Sequence, residues 1–357
     1  MTEPVFLLFA CCVPVRGARR SVVCDLQRQC FHFIPDGLYE ILTEHSGATV
    51  AEIKQRYDHE YDEEIDEYFA FLLRHELGFW CIDPEGPERF PPLDLSWETP
   101  ERITNAILDV DAGSGHDFAK ILGELDDLGC KALEVRCFHR PALGELRALL
   151  DCARHGRLRS IDLIAGYSPE LSPEALESLV KDCRRLSSLV IHSAPENRTV
   201  LLDRSGVAVR YCREAIDSPR CCGQIHPGYF AIDVETFAEA QKHNTCLNRK
   251  ISVDARGEIR NCPSLPKSHG NVRDTSLHAA LAQRDFAALW TINKDQIAVC
   301  KDCEFRYICT DCRAYLRDER DLYSKPSKCT YDPYIAEWQQ PVEERTSSGS
   351  LTEGASR

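Results

Sequence analysis

The stretch Cys300-Lys-Asp-Cys-Glu-Phe-Arg-Tyr-Ile-Cys-Thr-Asp-Cys312 sets four cysteines in the spacing C-x2-C-x5-C-x2-C. Cys246, Cys262 and Cys329 flank it, and Gly257 stands five residues before Cys262. A cysteine that only fills core space has no reason to recur at two- and five-residue intervals. Thiolate ligands do, because short loops let several sulfurs converge on one metal centre while backbone amides turn toward them. A four-cysteine zinc ribbon would separate its two C-x2-C knuckles by about 15–20 residues. Here five residues separate Cys303 from Cys309. Seven sulfurs exceed one tetrahedral zinc and approach the eight that two cubane clusters require. Iron–sulfur is therefore the expected metal, with zinc the alternative and disulfides a weak third reading. A tight turn at Gly257 would fold a hairpin, Ile251 to Ile259, back onto the site.

These residues resemble the SPASM domain of radical S-adenosylmethionine peptide maturases, which carries two auxiliary iron–sulfur clusters. One departure is the two-residue gap between Cys309 and Cys312, where the family usually has three. The resemblance implies one [4Fe-4S] cluster on Cys300, Cys303, Cys309 and Cys329. It implies a second on Cys246, Cys262 and Cys312, with a fourth ligand upstream. Cys221 and Cys222 are the nearest candidates, of which Cys222 is favoured. The ending Cys329-Thr-Tyr-Asp-Pro-Tyr334, followed by Glu337-Trp338, resembles the SPASM protein of grasp-with-spasm peptide-modification systems. That resemblance implies two partners, a ribosomally made precursor peptide and an ATP-grasp ligase.

The chain has 357 residues, long enough for two or three domains, and 43% hydrophobic residues, enough for globular cores. A formal charge of −14 argues against nucleic acid, since phosphate binding wants a basic face. No run of eighteen apolar residues suggests a membrane span. The start lacks the basic n-region of a signal peptide. Nineteen cysteines without a secretion signal point to reduced thiols and metal in the cytoplasm.

Residues 1–85 are expected to form a winged-helix-like domain. Phe6 to Val15 and Ser21 to Ile34 read as two or three short strands. A helix follows Pro35-Asp-Gly37, a second starts at the capping box Thr49 to Glu52, and a third carries Ile65, Phe69 and Leu72. Phe79 to Ile82 reads as a last strand. Winged helices often bind DNA, but Asp62-Glu-Glu-Ile-Asp-Glu67 would repel phosphate. The order, with Thr49-Val-Ala-Glu-Ile53, resembles the precursor-recognition element of ribosomal-peptide biosynthesis. Such a module takes an extended leader peptide as an added strand, with its third helix as the other wall. Arg16, Arg19 and Arg20 could assist an acidic leader or form a solvated hairpin tip, the latter being favoured. Cys11, Cys12, Cys24 and Cys30 have no ligand spacing and read as small apolar side chains.

From about Pro100 strands alternate with helices: strands near 103–110, 131–138, 158–165 and 188–193, helices near 116–129, 143–153 and from Ser172. Alternation of this kind makes a parallel sheet with right-handed crossovers. Residues 100–215 resemble a degenerate, truncated radical-S-adenosylmethionine (β/α) half barrel. The family's C-x3-C-x2-C loop is missing, because no cysteine has partners at both +4 and +7. Its Gly-Gly-Glu turn is replaced by Arg136-Cys-Phe-His-Arg-Pro141. S-adenosylmethionine is accordingly not expected as a cofactor. Cys137 with His139 could form a nucleophile, Gly113-Ser-Gly115 a phosphate cradle and Asp109 with Asp111 a cation site, but ordinary core and strand-end roles are the favoured readings.

The expected architecture is thus α/β and multidomain: leader-binding domain 1–85, half barrel 100–215, SPASM domain 221–338 with two [4Fe-4S] clusters, and a disordered tail 339–357. Two functions stay open. One is a non-catalytic adaptor presenting precursor to a ligase, the other a radical or redox enzyme acting on the peptide. A zinc-binding interaction protein is the remaining alternative.

Overall fold

The computed structural model describes residues 3–83, 86–202 and 205–339. The tail expected from 339 lies, from 340 onward, outside the described residues. The amino-terminal module holds four strands rather than two or three: β1 (Val5–Leu8), β2 (Cys12–Val15), β3 (Ser21–Asp25) and β4 (Cys30–Ile34). Three helices follow, α1 (Asp36–Glu44), α2 (Val50–Arg56) and α3 (Asp62–Arg74), then β5 (Gly78–Cys81). β1 pairs with β5, while β2, β3 and β4 form an antiparallel sheet in that order. The capping box is present. Glu52 N donates to Thr49 Oγ1 at 3.2 Å and Thr49 N donates to the Glu52 carboxylate at 2.8 Å, satisfying two otherwise orphaned amides at the start of α2. Phe6, Ile41, Ile53, Ile65, Phe69 and Leu72 close the core between helices and sheet.

After a one-turn helix α4 (Gly86–Arg89), the chain enters the alternating region. Its elements are β6 (Asn105–Val110), α5 (Phe118–Asp127), β7 (Ala132–Cys137), α6 (Leu143–Cys152), β8 (Ser160–Gly166), α7 (Pro173–Asp182) and β9 (Leu186–His192). β10 (Arg198–Leu201) and β11 (Ala208–Tyr211) form a hairpin beside β9. α7 starts on Ser172, whose hydroxyl accepts from Ala175 N, with Pro173 at the first helical position where no amide is needed. Alternate strand residues, such as Leu108, Val135, Leu163 and Leu189, pack against Ile121, Leu149 and Leu179 of the helices. The intervening positions carry Asp109, Glu134, Arg136, Asp162 and Ser188.

The sheet does not end where the alternation ends. After α8 (Val234–Ala240), β12 (Lys250–Val253) pairs parallel with β6, and β13 (Ile259–Arg260) turns back on it. The eight-stranded order is β10-β11-β9-β8-β7-β6-β12-β13. The hairpin expected around Gly257 is therefore also a sheet strand, and it carries Cys246 and Cys262 to the edge of the parallel sheet. α9 (Leu277–Leu281) packs on the same core. The last segment has little regular structure beyond the ribbon β14 (Tyr331–Asp332) and β15 (Glu337–Trp338).

A third core joins the two ends of the chain. Val15, Val22, Cys24 and Leu26 of the first module pack with Phe237, Phe305, Ile308, Cys309 and Tyr331. Here the expectation of a solvated tip at Arg16, Arg19 and Arg20 is corrected. Arg16 and Arg19 are exposed, but Arg20 Nε donates to Glu304 Oε1 at 2.9 Å and its guanidinium stacks 3.5 Å from the Phe33 ring. Glu304 is 1% exposed and would be a lone buried charge without it.

Candidate metal centre

The knuckle cysteines converge. Cys300, Cys303, Cys309 and Cys329 line one pocket walled by Ile225, Phe230, Phe305, Tyr331 and Trp338. Three of these thiols titrate far from water. Burial pushes Cys309 up to about 12 and raises Cys300 and Cys303, and neighbouring sulfurs add to each shift. Lys294, 5% exposed, lines the same pocket and its ammonium opposes the rise at Cys300 and Cys309. Val299, immediately before Cys300, has φ +69°. For a β-branched residue that is a strained conformation, of the kind that persists where surrounding structure holds a functional side chain in place.

Cys246, Cys262, Cys312 and Cys222 form the other group. Burial raises Cys262 to about 12 and also raises Cys312 and Cys222, and in each case Cys246 contributes next. Lys250 Nζ stands 3.5 Å from Cys246 Sγ. Cys222, although exposed as a residue, belongs to this group through Cys246 and Cys262. Cys221 is turned elsewhere, its thiol 3.8 Å from the Ala215 carbonyl. Gly223 explains the close approach: at φ +84°, a Cβ there would stand 3.0 Å from Cys312 Sγ. The turn at Gly257 has φ +88° and its amide donates to the Asp254 carbonyl at 2.8 Å.

A buried polar network that sequence reading missed lies between the groups. Asn244 Oδ1 accepts from the amides of Cys246 and Leu247, and its Nδ2 donates to Asp311 Oδ2 at 2.6 Å. Asp311 Oδ1 accepts from Lys294 Nζ at 3.3 Å and from Arg313 at 2.8 Å. Burial alone would raise Asp311, but Lys294 and Arg313 outweigh it and hold the carboxyl below its usual range. Asn261 Nδ2 donates to the Leu247 and Lys250 carbonyls. The signal was present as Asn244, Asn261 and Asp311, each one or two residues before a cysteine.

The spacing of the sulfurs differs from that of a single zinc site. Thiolates on one zinc, each at about 2.3 Å, would stand about 3.8 Å apart. Among the described residues, no three of these eight cysteines bring their sulfurs within 4.8 Å of one another. Thiolates at the corners of a cubane stand farther apart than that, because the iron–sulfide core lies between them. Four unbridged cysteines around an apolar pocket, with buried Lys294 beside them, fit a cubane, and half-buried Lys250 stands beside the other group.

The other candidate sites resolve into structural roles. Cys137 is buried, its thiol pushed up to about 12 by burial, and its carbonyl lies 3.1 Å from His192 Nε2. His139 instead pairs with Glu145 at 3.0 Å. Asp111 Oδ1 accepts from Gly113 N at 2.8 Å and from Ser114 Oγ, so the glycine loop turns its donors onto its own carboxylate. Asp109 makes a two-pronged ion pair with Arg136, at 2.6 and 2.9 Å. Burial pushes Asp109 up, against the pull of the Arg136 guanidinium.

No protein-family model and no curated protein matches the chain. Among solved structures it is similar to SuiB from Streptococcus suis. The crystal structure of SuiB bound to S-adenosylmethionine aligns at 10% identity and a TM-score of 0.36, over 92% of this chain and 99% of that one. SuiB bound to its precursor peptide SuiA aligns at 10% identity and 0.35, over 91% and 99%. At these TM-scores the likeness is one of outline, and nothing of SuiB's ligands carries over to this chain.

Proposed function

We propose that this chain is a cytoplasmic iron–sulfur protein of ribosomal-peptide maturation, binding a precursor's leader and acting with an ATP-grasp ligase. The observation that carries it is the four-cysteine apolar pocket joined, through one shared core, to a module with an open sheet edge. Cys300, Cys303, Cys309 and Cys329 would hold one [4Fe-4S] cluster; Cys222, Cys246, Cys262 and Cys312 the other. When bound, such clusters supply electron transfer or a structural anchor. The chain's own residues neutralise them: Lys294 and Lys250 place one positive charge beside each thiolate set.

The leader would lie along β4, which pairs only with β3 among the described residues. Beside that edge, Phe33, Leu38, Tyr68, Phe71 and Arg74 line a groove of about 490 Å³ between β4 and α3. An added strand there gains main-chain hydrogen bonds from β4 and side-chain pockets from α3.

The adaptor reading is the one we favour over radical catalysis. The end of β6 presents the Asp109–Arg136 pair and a self-satisfied Asp111 turn, and no thiolate set that would leave an iron position open. The test is to incubate cluster-loaded protein with S-adenosylmethionine, reductant and a precursor peptide. The adaptor binds the peptide and forms no 5′-deoxyadenosine. Turnover above a no-protein control sinks it.

A further inference from the structure

The turn between β1 and β2 carries the adjacent pair Cys11 and Cys12, which belong to neither cysteine group above. Asp25 stands directly across from Cys12 in the β2–β3 register. The two sulfurs and an Asp25 carboxylate oxygen lie within 4.8 Å of one another, as no other three His, Cys, Asp or Glu do among the described residues. Cys12 and Asp25 are buried, and Cys11 is half-buried with its sulfur 3.6 Å from Gln27 Oε1. We propose that Cys11, Cys12 and Asp25 form a separate binding site for one zinc-class divalent cation, with the Gln27 amide oxygen or a water as fourth ligand.

The donor types suit a borderline-soft cation without geometric preference, which takes thiolate and carboxylate together in a tetrahedron. The spacing suits it too, since ligands on one zinc stand about 3.8 Å apart. Asp25 is already fixed and ionised. Its Oδ1 accepts from Gln27 N at 3.1 Å and Arg28 N at 2.9 Å, and its Oδ2 from Arg28 Nη1 at 2.9 Å. Those bonds occupy about three of a carboxylate's four acceptor positions and orient it, as outer partners orient metal-ligating carboxylates.

The charge balance also closes. Arg28 Nη1 pairs with the Asp25 carboxylate at 2.9 Å and leaves one positive charge beside the three donors. One divalent cation held by two thiolates and the Asp25 carboxylate, with Arg28 beside them, leaves the site neutral overall. Core packing among Phe6, Val23 and Leu38 accounts for Cys12 and for the covered side of Cys11. It gives no reason for a half-exposed second sulfur beside a fully buried carboxylate.

The proposal is independent of the iron–sulfur reading and is tested in the full-length protein loaded with iron. Zinc is added and removed by chelator, and alkylation of each cysteine is mapped by mass spectrometry, with zinc per chain measured in parallel. Zinc should slow alkylation of Cys11 and Cys12, and Cys11→Ser should bind one zinc fewer than wild type with its iron content unchanged. Cys12→Ala, which keeps the small apolar volume, should lose the same zinc. Equal zinc in wild type and Cys11→Ser, with Cys11 alkylation indifferent to zinc, overturns the proposal.

Discussion

At the scale of single residues, the charges beside the sulfurs make the sharpest statements. Lys250 sits against Cys246, so Lys250→Met removes a positive charge next to an anionic thiolate set. Adding an electron there then becomes harder, and a redox titration followed by electron paramagnetic resonance should show the potential of the Cys246 cluster moved negative and that of the Cys300 cluster unmoved. An unchanged potential would detach Lys250 from the site. Gly223→Ala meets both a φ that disfavours a side chain and the Cys312 sulfur, so it should lower iron content in the Cys246 group and leave the pocket of Cys300 intact. Glu239 tests the electrostatics by pH. Burial pushes it up to about 7 despite a hydrogen bond from Asn248. A raised carboxyl binds its proton more tightly in the folded state, so its penalty is absent below the unfolded value near 4.3 and full above 7. The melting temperature of Glu239→Gln should therefore gain on wild type progressively from pH 5 to 7 and match it below pH 4. A gap independent of pH would mean the carboxyl is not perturbed.

Among elements, the groove between β4 and α3 carries the partner claim. Phe33 is 44% exposed on an otherwise packed sheet and lines that groove. Phe33→Glu in the full-length protein should weaken leader binding measured by fluorescence anisotropy, and should also lower the melting temperature, because Phe33 stacks on Arg20 and packs edge-on to Phe305. Undiminished binding would put the leader elsewhere. Much at this scale was legible in sequence. The Thr49–Glu52 box, the Ser172-Pro173 start and the βα alternation each obey a local period or cap. The pairing of β12 with β6 was not, because Lys250 meets Asn105 across a sequence distance that leaves no local pattern. The knuckle spacing announced the ligands, while Lys250 and Lys294 carry no spacing of their own and became visible only through their contacts.

In the whole molecule, the leader-binding module and the Cys300 pocket are not separate bodies. Arg20 reaches across to Glu304, the residue after Cys303, and Phe31 and Phe33 pack edge-on to Phe305. Arg20→Ala leaves Glu304 buried without its cation and should cost about 2 kcal/mol or more, read as a shift in urea midpoint; Glu304→Gln in the same background should recover part of it. An additive double variant would contradict that coupling. The sequence divided the chain into consecutive domains and gave no hint of this shared core, since Val15, Val22 and Phe305 look like ordinary core residues of whichever segment contains them. The central claim, that the two cysteine groups hold cubane clusters, is tested most directly by metal and sulfide analysis of anaerobically purified protein. The prediction is about eight iron and eight acid-labile sulfide per chain, falling to about half in Cys303→Ser. Stoichiometric zinc with negligible sulfide would contradict it.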